Sequence, residues 1–526
     1  MSIKVLVTDP ISDKGLKLLK DSQIEVLYEP GLEPSKYNSI SSDIDGWIIR
    51  SGTNISNDNI AKSKKLQIIG RAGVGVDNID IDSATSNGIV VMNVPDGNTV
   101  SAAEHTIAMM LSLSRNISPG HSSLSSGIWE RHKLTGSEVQ GKTLGVVGLG
   151  KIGREVIQRA LSFNMKILGF DPYVNQELFD PKEVKVVSLD ELTMQSDYIT
   201  LHVPKNKATQ NLFNLDRLKM MKNNSRIINV ARGGIINEND LAEALNLDII
   251  SGAAIDVFEK EPLDKNSNLL NAKNILLTPH LGASTYEAKE GVSLSICKQI
   301  IDYFNDNKLT NALNIPVVDS AVIKKMGPFY SLAEKIGLMI SQLVNNPVKS
   351  IEVKCYGDAR DSKSISLLFI KGLLSSITDN RINMVNADIV AKERGISFSH
   401  SYNSKEMPFL NLITCSISTN SEDIQVSGSI YFENHPRIVN IMGFDIDLNP
   451  DGYMLFIKNK DVPGVIGKIG TILGDLDVNI AGYLLSRIEK SDFAYAVIKL
   501  DELVQQNILD QISVIDEVID IKQLTL

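Results

Sequence analysis

The sequence is poor in cysteine, with Cys297, Cys355 and Cys415 as the three cysteines among 526 residues. They are far apart and form no CxxC pair, which argues against a disulfide framework or a zinc site and favours buried thiols in a reducing compartment. No apolar run approaches the roughly 18 residues of a membrane-spanning helix, and the first residues lack the apolar segment of a secretion signal. We therefore expect a cytoplasmic protein with no membrane association and no metal.

Basic residues are also in the minority, with 53 lysines and arginines against 63 acidic residues and a formal net charge of −10. This balance argues against nucleic acid as a partner but allows a local basic pocket for a small anion. The hydrophobic content of 43% is ordinary for a globular protein, while 526 residues are too many for one core. The length predicts roughly three or four domains.

Two parts of the chain alternate short apolar runs with amphipathic segments, a rhythm typical of parallel sheets covered by helices. The first part is residues 1–95, and the second begins at Gly141 after a predicted helix near 99–114. Residues 317–445 are interpreted as an α+β region, and residues 452–526 follow the ferredoxin-like order of strand, helix, strand, strand, helix, strand. The predicted fold class is α/β, with two doubly wound Rossmann-like domains followed by an α+β domain and a ferredoxin-like domain.

The segment GLGKIG places glycines at 148, 150 and 153 between a predicted strand and a predicted helix. This spacing alone is weak evidence, but Asp171 ends the next strand, 18 residues after Gly153, as in a dinucleotide-binding turn. Gly148 makes the turn, Gly150 lets the backbone approach a pyrophosphate, and Gly153 allows close packing of helix and strand. The helix N-terminus attracts phosphate, and the Asp171 carboxylate accepts ribose hydroxyls and repels a 2′-phosphate. We therefore expect NAD rather than NADP as the cofactor.

Three polar residues follow further predicted strands of the same region: Arg232, Glu261 and His280. Ligands of a doubly wound sheet bind beyond the carboxyl ends of its strands, so we expect these side chains to converge. Arginine holds a carboxylate bidentately, histidine titrates near neutrality, and a carboxylate beside histidine favours the imidazolium. The set suits oxidation of a 2-hydroxy acid, although a lone histidine is more often structural and Glu259 is a rival to Glu261.

Six segments carry a resemblance to a known family: GRAGVGVDNID, VMNVPDGNTVSAAEH, GKTLGVVGLGKIGREV, INVARGGIINE, AAIDVFEKEP and TPHLGAS. They resemble the NAD-dependent D-isomer-specific 2-hydroxyacid dehydrogenases across residues 1–315. The resemblance implies that His280 is the acid/base, Glu261 its carboxylate partner and Arg232 the anchor of the substrate carboxylate. Within the family, the chain is most similar to enzymes that oxidise 3-phospho-D-glycerate to 3-phosphooxypyruvate in serine biosynthesis, and this is the expected reaction.

The same resemblance implies further contacts to both ligands. Besides the glycine loop and Asp171, contacts to the cofactor are expected from Lys151, Ile152, Val203, Val230, Ala231, Asp256, Gly282 and Ala283. Val203 stands where threonine is frequent among relatives, which removes one possible hydroxyl contact. Contacts to the substrate, including its phosphate, are expected from Arg50, Arg71, Gly73, Asn98, Arg131 and Lys133. Arg131 and Lys133 either serve a neighbouring subunit or are solvated surface charges.

Residues 452–526 resemble an ACT domain through the segment DVPGVIGKIGTILGDLDVNI. ACT domains pair edge to edge and bind amino acids, so the resemblance implies that Asp461 and Asn479 contact an effector such as L-serine. Asn459 stands where some relatives have an aromatic residue, which leaves the effector open. The alternative is an assembly module without a ligand. The resemblance also implies a homo-oligomer, either a dimer or a tetramer.

The resemblance divides the chain into a substrate-binding domain of residues 1–95 and 288–314, an NAD-binding domain of residues 96–287, an intervening domain of residues 317–445 and the ACT domain. The Pro-containing stretch after Asn314 is interpreted as a linker. Two other functions stay open: a hydroxypyruvate or glyoxylate reductase, and an NAD-sensing interaction protein on the same scaffold. The extra cations argue against the reductase, and the ACT-like tail argues against both.

Overall fold

The strands of the described residues form four β-sheets, each built from one part of the chain. The computed structural model describes residues 3–306, 308–315, 320–375, 382–404, 409–432, 434–487 and 492–526. Most of the predicted linker after Asn314 lies outside these residues. No described helix is long and apolar enough to cross a membrane.

The first unit alternates short strands with helices. Its elements are β1 (Lys4–Val7), α1 (Asp13–Asp21), β2 (Glu25–Tyr28), α2 (Pro34–Ser41), β3 (Gly46–Ile49), α3 (Asn57–Lys62), β4 (Ile68–Arg71), α4 (Ile81–Ser86) and β5 (Val90–Met92). The sheet has the order β2-β1-β3-β4-β5 and is parallel throughout. Strand β3 is buried along its whole length, as expected for a central strand with both faces covered.

The second unit is a larger parallel sheet with helices on both faces. Its elements are α5 (Thr99–Ser114), α6 (Ile117–Ser125), β6 (Thr143–Val147), α7 (Lys151–Ser162), β7 (Lys166–Phe170), β8 (Val184–Val186), α8 (Leu189–Gln195), β9 (Tyr198–Leu201), α9 (Leu215–Met220), β10 (Arg226–Asn229), α10 (Glu238–Asn246), β11 (Gly252–Ile255) and β12 (Ile275–Leu277). The strand order is β12-β11-β10-β9-β6-β7-β8. The chain runs outward from β6 to β8 and then crosses back to β9. The order therefore reverses beside β6, where a doubly wound sheet binds its ligand.

Helix α11 (Tyr286–Asp306) returns the chain to the first sheet. Its buried residues Val292, Ile296 and Ile300 belong to the same core cluster as Val5 and Ile68 of the first unit. The first unit is thus completed by chain that follows the second unit, which leaves two polypeptide crossings between them.

The third unit contains a mixed sheet packed against two long helices. Its elements are α12 (Ser320–Leu343), β13 (Ser350–Gly357), α13 (Ser362–Leu374), α14 (Ala387–Glu393), β14 (Ser397–Asn403), β15 (Asn411–Ser418), β16 (Asp423–Tyr431), β17 (His435–Ile441) and β18 (Phe444–Leu448). The strand order is β14-β13-β15-β16-β17-β18, with β13 and β14 parallel and the other pairs antiparallel.

The fourth unit follows the predicted ferredoxin-like order. Its elements are β19 (Tyr453–Lys460), α15 (Val465–Asp475), β20 (Ile480–Arg487), β21 (Phe493–Leu500), α16 (Gln506–Ser513) and β22 (Val518–Thr525). The antiparallel sheet has the order β20-β21-β19-β22, and both helices pack on one face through Ile469, Leu473, Ile508 and Ile512. With two parallel sheets, an α+β unit and this unit, the predicted fold class is confirmed.

The second face of the fourth sheet is buried against the third unit. Phe456 and Tyr495 belong to the same core cluster as Leu332 and Ile336 of α12. Phe444 of β18 meets Tyr495 edge-on at 4.5 Å between ring centroids, and Tyr495 stacks on Phe456 at 5.0 Å. The third and fourth units therefore share one hydrophobic core, and we expect them to unfold together.

The substitution Phe456→Ala is expected to destabilise both units by about 3–5 kcal/mol, because a buried ring leaves a cavity in their common core. In hydrogen-exchange mass spectrometry of the full chain, peptides from residues 325–448 and 453–526 should lose protection together. Leu241→Ala, in the separate core of the second unit, is the control and should leave the protection of both peptide sets unchanged. Loss of protection confined to the fourth unit in Phe456→Ala would contradict the shared core.

Candidate active site

The glycine turn lies between β6 and α7, where the sheet order reverses. Gly148 has a left-handed φ of 97°, and its N–H donates to the carbonyl of Phe170 at 2.8 Å. A Cβ on Gly148 would lie 2.3 Å from the His202 carbonyl oxygen, and one on Gly153 would lie 2.1 Å from the Gly148 carbonyl oxygen. Both glycines are therefore required by packing. A Cβ on Gly150 meets no atom within 4 Å, so open space lies over the N-terminus of α7.

That open space fits the pyrophosphate of a dinucleotide, because the free N–H groups of α7 face it and α7 is three turns long. Asp171 follows β7, and its two oxygens accept the N–H groups of Leu149 and Tyr173, each at 2.9 Å. These bonds fix the carboxylate beside the turn, and each oxygen keeps a lone pair for a ribose hydroxyl. The residues present thus fit NAD.

The other cofactor candidates lie at the same edge of the sheet. Lys151 and Ile152 open α7, Val203 follows β9 beside Gly148, Val230 and Ala231 follow β10, and Asp256 follows β11. Gly282 follows β12, and a Cβ there would lie 3.0 Å from Val230 and 3.3 Å from Asp256, with Ala283 next in sequence. Lys151 also forms an ion pair with Asp96, which ties the glycine turn to the chain that leaves the first unit.

His280 and Glu261 form a hydrogen-bonded pair, with 2.6 Å between the His280 Nδ1 and a Glu261 carboxylate oxygen. The other carboxylate oxygen accepts the Phe258 N–H at 3.0 Å. Partial burial raises the pKa of Glu261, but the bonds from His280 and Phe258 outweigh burial and hold that pKa below its usual value. Because Nδ1 is engaged by a carboxylate, Nε2 is the ring nitrogen left to face a substrate. The rival Glu259 has an exposed side chain, and its N–H donates to Glu238.

Arg232 lies after β10, at the interface with the first unit. Its Nε contacts a carboxylate oxygen of Asp77 at 3.2 Å, and its Nη1 donates to the Ala231 carbonyl at 2.7 Å. A Cβ on Gly75 would come within 2.3 Å of Nη2, so Gly75 makes room for the guanidinium. Asp77 thus holds one edge of Arg232 and leaves Nη2 for an anion.

Arg50 follows β3 and Arg71 ends β4, and the two form a cationic cluster with Arg232. Burial, and after it the charges of Arg232 and Arg50, lowers the pKa of Arg71 to about 10. Among the described residues, the Nε atoms of Arg50 and Arg71 are buried without a hydrogen-bond partner. A Cβ on Gly73 would overlap the Arg71 guanidinium at 1.7 Å, so Gly73 provides its space. Cations held close together with unused donors form a pocket for an anion.

The remaining substrate candidates lie in two places, at the start of α5 and in a turn after α6. Asn98 caps α5, and its Oδ1 is buried without a partner among the described residues. Arg131 and Lys133 lie in an exposed 3₁₀ turn after α6, where Lys133 pairs with Glu130 at 2.6 Å. This turn packs against α6, whereas the arginine cluster lies at the ends of β3, β4 and β10.

Sequence reasoning missed several residues of this region. Asp77 contacts Arg232, Asp96 contacts Lys151, and Asp9 accepts the N–H groups of Arg50 and Thr53 at 2.6 and 3.0 Å. Asp77 belongs to the quoted segment GRAGVGVDNID, but its partner is 155 residues away. Local sequence gave no signal for such a long-range pair.

The effector candidates lie on the fourth unit. Asp461 contacts the Arg487 Nε at 3.3 Å, and the Asn479 amide donates to Asp501 at 2.7 Å. Asn459 is 4% exposed, and its amide N–H donates to the Lys460 carbonyl at 2.7 Å. The Asn459 Oδ1 is buried with no partner among the described residues.

Comparison with known proteins gives three family matches. They are the NAD binding domain of the D-isomer specific 2-hydroxyacid dehydrogenases at residues 107–282, the D-3-phosphoglycerate dehydrogenase intervening domain at residues 325–442 and the ACT domain at residues 453–517. The D-3-phosphoglycerate dehydrogenase of Methanocaldococcus jannaschii is 38% identical, with 100% of both chains covered. The Bacillus subtilis protein of that name is 37% identical, with 99% of both chains covered.

One solved structure shows the same fold for part of the chain. It is an NAD-dependent formate dehydrogenase from Staphylococcus aureus in complex with NAD, 30% identical, with a TM-score of 0.55. The match covers 60% of this chain and 100% of that one.

The substitution Gly150→Ala is expected to cost only about 0.5–1 kcal/mol of stability, through the loss of a glycine at the N-cap, because φ is −71° and a Cβ there enters open space. It should weaken NAD binding at least about tenfold, or about 1.4 kcal/mol, because the methyl group occupies the pyrophosphate space. Calorimetric titration with NAD and thermal unfolding measure the two effects. Gly153→Ala is the contrasting variant and should lose about 1–3 kcal/mol of stability through its clash. Unchanged NAD affinity in Gly150→Ala would place the cofactor elsewhere.

Proposed function

We propose that this chain, which belongs to the D-3-phosphoglycerate dehydrogenase family, oxidises 3-phospho-D-glycerate to 3-phosphooxypyruvate with NAD. The observation that carries the proposal is the His280–Glu261 pair, placed at strand ends of the same sheet as Arg232, which also belongs to a cluster of three arginines. The reaction is the first step of serine biosynthesis by the phosphorylated route.

Each group has a role that its geometry supports. The Arg232 guanidinium holds the substrate carboxylate through its free edge, opposite Asp77. The His280 Nε2 accepts the proton of the C2 hydroxyl, and Glu261 stabilises the imidazolium that forms. The glycine turn and Asp171 would hold NAD, which would supply the acceptor for the hydride of C2. C2 loses a hydride, which carries two electrons, and the C2 hydroxyl loses a proton to His280. The secondary alcohol thereby becomes a ketone.

We assign the phosphate of the substrate to Arg50 and Arg71. A dianion would give their unpartnered Nε donors an acceptor and would offset the repulsion between the two guanidinium groups. Hydroxypyruvate and glyoxylate carry one carboxylate each, so the reductase alternative leaves much of this cationic charge uncompensated. Arg131 and Lys133 then act on the site of a neighbouring copy.

We further propose the domain roles predicted from the sequence. Residues 1–95 with 288–314 bind substrate, residues 96–287 bind NAD, and residues 317–445 connect them to the regulatory residues 452–526. The pair Arg232–Asp77 crosses between the first two. We place the reaction in the cytoplasm, where the three free, buried cysteines stay reduced.

The direct test follows NADH absorbance with 3-phospho-D-glycerate and NAD at alkaline pH, with a trap for the keto product. NADH formation supports the proposal. No turnover in this assay, together with consumption of NADH by hydroxypyruvate, would assign the reductase function instead. NAD binding without turnover of either substrate would favour the interaction protein.

His280→Ala is expected to lower kcat at least about a hundredfold while NAD affinity is kept, because the general base is lost and the glycine turn is untouched. Glu261→Gln should also lower kcat, since the imidazolium loses its partner. Glu259→Gln is the matched control, because its exposed side chain lies outside the pair, and should keep kcat. A near-normal kcat in His280→Ala would refute the assignment of the base.

We propose that the chain is a homo-oligomer that pairs through α5 and α6. Ile117, Leu124 and Trp129 are 56, 58 and 79% exposed, next to an apolar groove lined by Ile107 and Phe163. A second copy of the same face suits this surface. The segment with Trp129 also carries Arg131 and Lys133, so pairing brings these cations to the neighbouring subunit.

Leu124→Asp is expected to reduce the mass measured by light scattering after size-exclusion chromatography, because a buried carboxylate disfavours the interface. Leu247→Asp is the control, since Leu247 is 63% exposed at the end of α10. An unchanged mass in Leu124→Asp would exclude this face.

We propose that an amino acid, L-serine first, binds the fourth unit and regulates the enzyme. Asp461 and the unpartnered Asn459 Oδ1 suit its ammonium group, and Asn479 suits its carboxylate. Asn479 is already paired with Asp501, and Asp461 with Arg487, so the ligand exchanges these contacts.

L-serine is expected to lower the rate of NADH formation in the parent protein. Asp461→Asn should abolish this response and keep the basal kcat, because Asp461 lies on the fourth unit and outside the active site. Asp477→Asn, in the same unit, is the control. A rate indifferent to serine in the parent would reduce the fourth unit to an assembly module.

A further inference from the structure

The backbone of His280 is in an unusual conformation. Its φ is 54°, in the left-handed region that residues other than glycine rarely adopt. Such a conformation persists only where the surrounding structure enforces it. The catalytic base is therefore held in place by contacts besides its bond to Glu261.

Most of those contacts come from Asp256. The His280 N–H donates to the Asp256 carbonyl at 2.9 Å and is shared with the Thr278 carbonyl at 3.0 Å. The next two N–H groups, of Leu281 and Gly282, donate to the two carboxylate oxygens at 2.7 and 2.9 Å. Three successive N–H groups thus end on Asp256, which fixes the direction of the chain through His280.

The Asp256 carboxylate is fully buried, so its own orientation depends on further donors. The Thr278 hydroxyl donates to it at 2.6 Å, and the His105 Nε2 lies 3.2 Å from the same oxygen and 3.3 Å from the Thr278 hydroxyl. Burial raises the pKa of Asp256, but His105, Thr278 and the two N–H groups outweigh it and hold that pKa below the usual value. Because an ionised carboxylate only accepts, the His105 Nε2 carries the proton.

We propose that His105 is a positioning residue for the reaction, which orients the Asp256 carboxylate and through it the backbone of His280. His105 belongs to α5, and its Nε2 faces the Asp256 oxygen that also accepts the Leu281 N–H. Without its donor, the buried carboxylate loses a partner and rotates or becomes protonated. Either change weakens the hydrogen bonds from the Leu281 and Gly282 N–H groups to Asp256. His280 then loses its fixed position relative to Glu261. The inference rests on the proposed function.

The test compares His105→Leu with His105→Gln, since a glutamine amide places an N–H near the position of Nε2. We expect His105→Leu to lower kcat at least about tenfold, with the KM for 3-phospho-D-glycerate within about twofold, because the base is misplaced while Arg232 is unaffected. His105→Gln should recover most of kcat. Thr106→Val is the matched control on α5, because the Thr106 hydroxyl bonds only its own helix, at Ala102, and it should keep kcat.

A second readout is independent of turnover. Hydrogen exchange of the peptide that contains Leu281 and Gly282 should accelerate in His105→Leu and return toward the parent rate in His105→Gln. A parent protein that is inactive with 3-phospho-D-glycerate would refute the proposed function. The exchange result would still test whether His105 holds the Asp256 carboxylate against the Leu281 and Gly282 N–H groups. An active parent with kcat unchanged in His105→Leu, or an equal loss of kcat in the leucine and glutamine variants, would overturn the role of His105.

Discussion

The parallel pairing of β6, β9, β10, β11 and β12 is the constraint on which the site depends. Parallel strands end at the same edge, so residues that lie far apart in sequence are delivered to one place. The glycine turn, Arg232, Asp256 and the His280 loop each follow a different strand of this sheet. Helix α5 then closes this edge from one face and brings His105 to Asp256. The topology of the sheet therefore brings the functional residues together, and each loop contributes one or two side chains.

Electrostatics explains why the site lies between two units. Arg50 and Arg71 come from the first sheet and Arg232 from the second. Burial, and after it the charges of Arg232 and Arg50, lowers the pKa of Arg71 to about 10. A single unit with all three arginines would carry their full repulsion during its own folding. Divided between two units, the third cation joins the other two only where the units meet, and an anionic substrate stabilises that arrangement. Binding energy from the substrate phosphate is then available to hold the reacting carbon against His280.

The fourth unit packs against the third through a shared core, which the sequence does not indicate. The sheet of the fourth unit buries one face under its own helices and the other against α12. A ligand on the helix-covered side therefore acts on a sheet whose opposite face is the core of the third unit. Coupling requires that the ligand bind two arrangements of this core with different affinity.

The sequence by itself determined the fold class, the family and the glycine turn, because strand periodicity, spacing and turn chemistry are local properties of the chain. It also named His280 and Arg232 from their positions after apolar runs, whereas Glu261 was preferred to Glu259 only through the resemblance to the family. The choice between them depends on which carboxylate the turn after β11 directs at His280, and only the folded geometry brings Glu261 to 2.6 Å. The pairs Arg232–Asp77 and His105–Asp256 join residues that are more than 100 positions apart, and the core shared by the third and fourth units joins α12 to strands of the fourth sheet. Such contacts have no local signal, since they arise when separate elements pack, and so the tertiary structure alone decided them.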